Sequence, residues 1–374
     1  MTTKKLGFGL MRLPLLDPND QKSIDMEQLK KMVDLFLDRG FTYFDTAYMY
    51  HDFASERAVK TALVERHARD CFTLTSKLPT MMLKTKEDQE RIFNEQLEKC
   101  GVEYFDYYLL HALTKVTYET AQRLGSFDFV QQKKKEGKVR HIGISFHDSA
   151  ELLEEILSAH PEIELVQIQL NYLDWDNEVI QSRQCYETIR RHGKEVLVME
   201  PIKGGTLAKV PQRAAELLKG AEPDKSIPSW AIRFAASHEG VKMVLSGMST
   251  LAQLDDNTSY MQDFTPFTPT EYDLVKKVVG IINEAITVPC TACHYCTKGC
   301  PKHIAIPEFF SIYNNHCQAP MEGFSTQKFY YDTLIDHGSG KASACIGCKQ
   351  CERMCPQHIE ITKYLRDVAK TFEA

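Results

Sequence analysis

Short apolar runs alternate with helix-period runs eight times across about the first 260 residues. This pattern predicts an α/β protein, a (β/α)8 TIM barrel, followed by a small, mostly helical domain. Parallel strands joined by helices close into a barrel when there are eight of them. A doubly wound open sheet would carry a glycine fingerprint after its first strand. Here Gly7-Phe8-Gly9 stops at two glycines, and no G-x-G-x-x-G follows. The C-terminal stretch is set apart by two dense cysteine runs. The expected division is therefore a barrel over residues 1–275 and a second domain over residues 276–374.

The first strand is expected at 6–10. A helix over 25–39 follows, with Met26, Leu29, Met32, Val33, Phe36 and Leu37 on one face and Gly40 as its stop. Strand two is expected at 41–45 with a helix at 55–69, strand three at 72–77 with a helix at 86–100, and strand four at 105–111. The charged stretch Lys133-Lys134-Lys135 reads as a solvated helix end before strand five at 141–145. Strands six, seven and eight are expected at 165–170, 195–199 and 242–246, with a helix through Trp230 to His238 before the last. A further helix at 269–288 starts from Thr268 as cap, Pro269 at its first position and Glu271 three residues after the cap.

The chain has 374 residues, a net charge of -6 and no apolar run of membrane-spanning length. That balance gives no basic footprint for nucleic acid. Met1-Thr2-Thr3-Lys4-Lys5 leads into no apolar signal region, so a cytoplasmic protein without membrane or nucleic-acid partners is expected. Twelve cysteines in such a chain suggest metal ligands before disulfides. Cys71, Cys100, Cys185 and Cys317 are scattered and read as buried small hydrophobes.

The other eight cysteines form a repeat. Cys290, Cys293, Cys296 and Cys300-Pro301 have the spacing C-x2-C-x2-C-x3-C-P, and Cys345, Cys348, Cys351 and Cys355-Pro356 have it again. A zinc site pairs two C-x2-C halves across a longer gap, which this spacing does not do. The runs resemble those of two-cluster bacterial ferredoxins, in which the fourth cysteine ligates the other cluster. The resemblance implies two [4Fe–4S] clusters in a ferredoxin-like iron–sulfur domain, one held by Cys290, Cys293, Cys296 and Cys355, the other by Cys345, Cys348, Cys351 and Cys300. The spacer between the runs exceeds that of a minimal ferredoxin, so helical segments are expected there.

Chemistry in such barrels sits at the C-terminal ends of the strands. Asp45 and Tyr50 follow strand two, Lys77 ends strand three and His111 ends strand four. Each alone is commonplace: a packed Tyr, a solvated Lys, a core His. Together they describe a proton donor, Tyr50, tuned by Lys77, with Asp45 holding Lys77 and His111 polarising a carbonyl. The segments Leu6 to Pro14, Phe44 to Tyr50, Thr75 to Lys77 and Asp106 to His111 resemble the aldo/keto reductase family over about residues 4–262, and all four positions of its catalytic tetrad are matched by motif.

That resemblance implies NADPH or NADH bound without a Rossmann fold, and a small carbonyl or alcohol substrate. The implied cofactor contacts are Gly9 and Met11 at the first strand's exit, Ser145 and Gln167 at the carboxamide, and Ser246, Gly247, Gln253 and Asn257 toward the adenosine. Three positions depart from the family pattern. Phe146 follows Ser145 where Asn is common, Met199 stands where an aromatic stacks on the nicotinamide, and no Arg or Lys lies between Ser246 and Asn257. NADP preference is therefore open, and FMN remains an alternative. Lys203-Gly204-Gly205 reads equally as a pyrophosphate contact or a plain turn, and Arg12 as a carboxylate contact or a surface ion pair. The leading expectation is an iron–sulfur aldo/keto reductase whose clusters either take electrons from a ferredoxin-like donor or serve structure. The alternatives are a flavin- or ferredoxin-linked electron-transfer oxidoreductase and a non-catalytic redox sensor.

Overall fold

The structure is a computed structural model that describes residues 4–373 apart from 285–286, 291, 293, 298, 319–324 and 356. Eight parallel strands close in chain order into a barrel: β1 (Leu6–Gly9), β2 (Tyr43–Asp45), β3 (Thr73–Leu78), β4 (Phe105–Leu113), β5 (Val139–Phe146), β6 (Leu165–Gln169), β7 (Glu195–Met199) and β8 (Val241–Gly247). The expected (β/α)8 barrel is present, with strand ends shifted by one or two residues. β1 closes the ring on β8, with Gly9 opposite Gly247.

Tyr43, Tyr107, Leu109, Leu165, Leu197, Met243 and Leu245 fill the barrel interior. Gly143 of β5 is required by this packing, because a Cβ there would meet the Leu165 carbonyl oxygen at 2.6 Å. The outer helices bury their apolar faces on the strands. Helix Met26–Asp38 does so through Leu29, Met32, Val33 and Phe36, with Asp25 as N-cap accepting from Gln28 N. Helix Pro269–Glu284 has the expected cap: Thr268 N donates to Glu271 Oε2 at 2.7 Å, and Glu271 N donates to Thr268 Oγ1 at 3.4 Å.

Two surface expectations fail. Lys133 is buried: its ammonium reaches Glu90 and Glu136 at 2.8 and 3.0 Å and lies over the Phe93 and Phe129 rings. Cys71 is exposed, in a short turn before β3, while Cys100 and Cys185 are buried and Cys317 is half-buried.

A second hydrophobic core lies in the C-terminal part, around Val288, Ile304, Ile306, Phe309, Phe310, Tyr331, Leu365, Val368 and Phe372. Its described elements are helices, chiefly Ile306–Gln318, Thr326–Asp336 and Ile361–Phe372. The core extends onto Val179 and Ile180 of the segment after β6. Asn177 Nδ2 donates to Ser311 Oγ at 3.2 Å, and His337 Nε2 lies 2.8 Å from Asp148 Oδ2. The C-terminal part is thus docked on the barrel by packing and by hydrogen bonds.

Candidate active site

The C-terminal strand ends bring the four expected residues together. Lys77 is fully buried on β3, and its ammonium donates to Asp45 Oδ1 at 2.6 Å, to the Thr46 carbonyl at 2.9 Å and to Tyr50 Oη at 3.3 Å. The His111 ring meets the Tyr50 ring edge-on, with centroids 6.0 Å apart. Ala112 has a φ of 52°, and the β4–β5 register slips between Leu110 and Leu113. That irregularity interrupts the regular ladder after Leu110, at the His111 position.

Electrostatics separates the roles. Burial raises the Asp45 carboxyl, while Lys77 pulls it back. Burial alone would lower Lys77, but Asp45 and Tyr50 hold the ammonium above its usual range. Tyr50 is raised by burial, with Lys77 opposing, so its proton stays on the phenol. Burial, Lys77 and His147 push His111 well down, which leaves a neutral imidazole whose buried Nδ1 has no hydrogen-bond partner. The arrangement holds one proton at Tyr50 Oη beside a fixed positive charge and a neutral ring, which suits donation to a developing oxyanion.

Two supporting groups escaped sequence reasoning. Tyr50 is followed by His51, Asp52 and Phe53, all with positive φ. Leu13 N donates to His51 Nε2 at 3.0 Å, and His51 Nδ1 lies 2.9 Å from the Gln21 carbonyl, which ties the Tyr50 loop to the exit of β1. Behind Lys77, Glu56 Oε1 accepts from Ser76 Oγ at 2.8 Å and from Gln96 Nε2 at 2.6 Å, and Gln96 Nε2 also donates to the Lys77 carbonyl. Burial pushes the Glu56 carboxyl up to about 7. No local pattern signals these partners, which lie 20 to 40 positions apart.

The expected cofactor contacts also line the strand ends. Ser145 and Gln167 are register partners on β5 and β6, and Gln167 Oε1 is buried without a partner, as an amide awaiting a carboxamide would be. Gly9, Gly247 and Asp45 share one level of the barrel, with Met11 just beyond and Met199 half-buried at the end of β7. Asn257 Nδ2 donates to Ser246 Oγ on β8 at 3.1 Å, and Gln253 Oε1 accepts from Ser249 N at 2.7 Å in the loop that follows. Arg12 flanks Gly247, and its carbonyl accepts from Ser249 Oγ. Lys203 is buried, and its ammonium pairs with Asp174, while Gly204 and Gly205 turn the chain with positive φ.

In the C-terminal part the two cysteine runs are intermingled. One pocket is lined by Cys290, Cys296 and Cys355 with Ile306, Phe310 and Ile359. A second is lined by Cys300, Cys345, Cys348 and Cys351 with Ile304 and Leu365. Cys293 lies outside the described residues. The runs repeat one backbone: Ala292 and Gly347, His294 and Lys349, and His303 and His358 all have φ between 51° and 70°. Several cysteines lining one apolar pocket are the kind of donor set that an iron–sulfur cluster takes.

Residues 5–279 match the profile of the Aldo/keto reductase family, and residues 289–360 match that of a 4Fe-4S dicluster domain. An uncharacterized oxidoreductase of Schizosaccharomyces pombe is 23% identical over 267 residues, 69% of this chain and 81% of its own. The fold is similar to that of an aldo-keto reductase from Bacillus halodurans in its holo form, with a TM-score of 0.59, 24% identity and coverage of 73% of this chain and 91% of that one. It is also similar to an aldo-keto reductase from Klebsiella pneumoniae in complex with NADPH, with a TM-score of 0.58, 18% identity and coverage of 75% and 96%.

Proposed function

Because the chain belongs to the aldo/keto reductase family and carries a 4Fe-4S dicluster domain, we propose that it is an iron–sulfur carbonyl reductase that uses NADPH or NADH. The observation that carries this reading is the contact of Lys77 Nζ with Tyr50 Oη at 3.3 Å inside a buried Lys77–Asp45 pair. The nicotinamide supplies hydride when bound. Tyr50 gives its phenolic proton to the carbonyl oxygen, and Lys77 stabilises the phenolate that remains. Neutral His111 donates one hydrogen bond to the same oxygen, and Asp45 keeps Lys77 charged. Gln167 and Ser145 hold the carboxamide. The support for a nicotinamide cofactor is the fold shared with a reductase in complex with NADPH and the orphaned amide oxygen of Gln167.

In this reading Cys290, Cys293, Cys296 and Cys355 hold one cluster, and Cys345, Cys348, Cys351 and Cys300 hold the other. The exposure of Cys348 favours electron entry from a ferredoxin-like protein at that edge. Replacing Tyr50 by Phe tests the proton donor. Carbonyl reduction should fall by about 10²–10⁴, the range for losing a positioned acid, while NADPH quenching of protein fluorescence is retained. Unchanged turnover in Tyr50→Phe would sink the assignment.

A further inference from the structure

β5 and β7 flank β6 in the barrel wall. Just beyond their ends stand His147 and Glu200, which the proton-transfer step does not use. Each carries a buried polar atom without a hydrogen-bond partner, Nδ1 of His147 and Oε2 of Glu200. Buried polar atoms are nearly always paired in folded proteins, so two orphans at chemistry-bearing strand ends point to a ligand.

Both residues meet the same helix of the dicluster domain, Thr326–Asp336. The Thr326 hydroxyl donates to Glu200 Oε1, and the Phe329 ring packs on the His147 ring with centroids 5.0 Å apart. Positions three apart share one helix face, so one face of this helix spans both strand ends. Glu200 has a φ of 53°, which a residue with a side chain rarely adopts. Its carbonyl is held by Asn171 Nδ2 at 3.2 Å and by Lys203 N at 3.0 Å. Strain held by surrounding contacts is characteristic of ligand clamps. The charge of Glu200 is felt at Tyr50, and that of Lys77 is felt at His147, so both residues lie within electrostatic reach of the reacting groups. Burial, with Lys77 adding, holds His147 down to about 4, so at neutral pH its ring offers one donor and one acceptor.

We propose that Glu200 and His147, with Thr326 and Phe329 of the dicluster domain, form a second substrate subsite that takes the hydroxyl-bearing part of a carbonyl substrate. Hydroxyl groups of that part donate to Glu200 Oε2 and pair with His147 Nδ1, which satisfies both orphans. An alkyl group leaves them unpaired, and sites built to bond a hydroxyl reject analogues that lack it. The site is therefore incomplete without the dicluster domain. This inference rests on the reductase reading.

The test uses the anaerobically purified, cluster-loaded full chain with glyceraldehyde and propanal, corrected for free aldehyde. Both kcat/KM with NADPH and calorimetric affinity are measured. A preference for glyceraldehyde of about tenfold or more is expected in both, and Glu200→Ala should bring the ratio near unity. Thr326→Val, which leaves the carboxyl in place, should reduce it as well, and it keeps the test open if Glu200→Ala does not fold. Turnover of both aldehydes without preference overturns the subsite and leaves the reductase standing. A binding preference without turnover supports the subsite and overturns the reductase reading. An unchanged ratio in both variants overturns the assignment of Glu200 and Thr326.

Discussion

Tyr50, Lys77, Asp45 and His111 were legible because each falls at a strand end in a short motif, and strand ends are where this fold places its chemistry. Glu56 was not legible, since its carboxyl is defined by Ser76 and Gln96, which arrive from β3 and the helix Lys86–Cys100. It bears on stability through pH. Burial raises its folded value to about 7 from a usual 4.5, so the stability it contributes is present below about 4.5 and is lost as pH rises through 7. At 1.36 kcal/mol per unit, the wild type should lose about 1 kcal/mol between pH 6 and pH 8 from this group. Glu56→Gln should remove that part of the slope in urea melts at the two pH values. Equal slopes would mean that the carboxyl is already ionised in the fold.

Strands and helices were placed well where a period of 2 or 3.6 ran uninterrupted. Helix Lys86–Cys100 matches its expected bounds and stops at Gly101, which has a φ of 70°. The segment after Ser55 was harder, because the helix Ser55–Val59 passes into a π-turn over Lys60–Val64 that periodicity does not register. The docking of helix Thr326–Asp336 across the barrel mouth was hidden for a different reason. Its own apolar pattern is weak, and its partners His147 and Glu200 belong to another domain. The cysteine runs make a sharper claim at this level. Cys355 lies with Cys290 and Cys296, away from its own run. Cys355→Ser should therefore damage the cluster of the first run, seen as loss of one of two paramagnetic signals on reduction. Loss of the signal tied to Cys345, Cys348 and Cys351 instead would reverse the pairing.

Taken as a whole, the molecule joins a barrel suited to hydride chemistry to a domain suited to single electrons. No helix among the described residues is long and apolar enough to cross a membrane. The C-terminal core is small, so cluster binding should supply much of its folding energy. Iron and sulfide analysis of anaerobically purified protein should give about eight of each per chain, as two [4Fe–4S] clusters require, with no flavin in an acid extract. Stoichiometric flavin would instead assign the mouth around Met199 to an isoalloxazine ring and displace the nicotinamide reading. Chelation of the iron should also loosen the Thr326 helix and expose Glu200, read as faster amide exchange at the ends of β5 and β7.

Each of the two cysteine cavities draws its walls from both runs. Chain growth at roughly 5–20 residues per second therefore leaves an interval of seconds in which the first run has left the ribosome and neither cavity can form. The barrel, complete by then, can close first and offer a finished docking face. During that interval the first run's thiols are open to oxidation or to the wrong metal. The order of synthesis thus puts the loading of either cavity after the second run has emerged, and until then the nascent first run has to be protected.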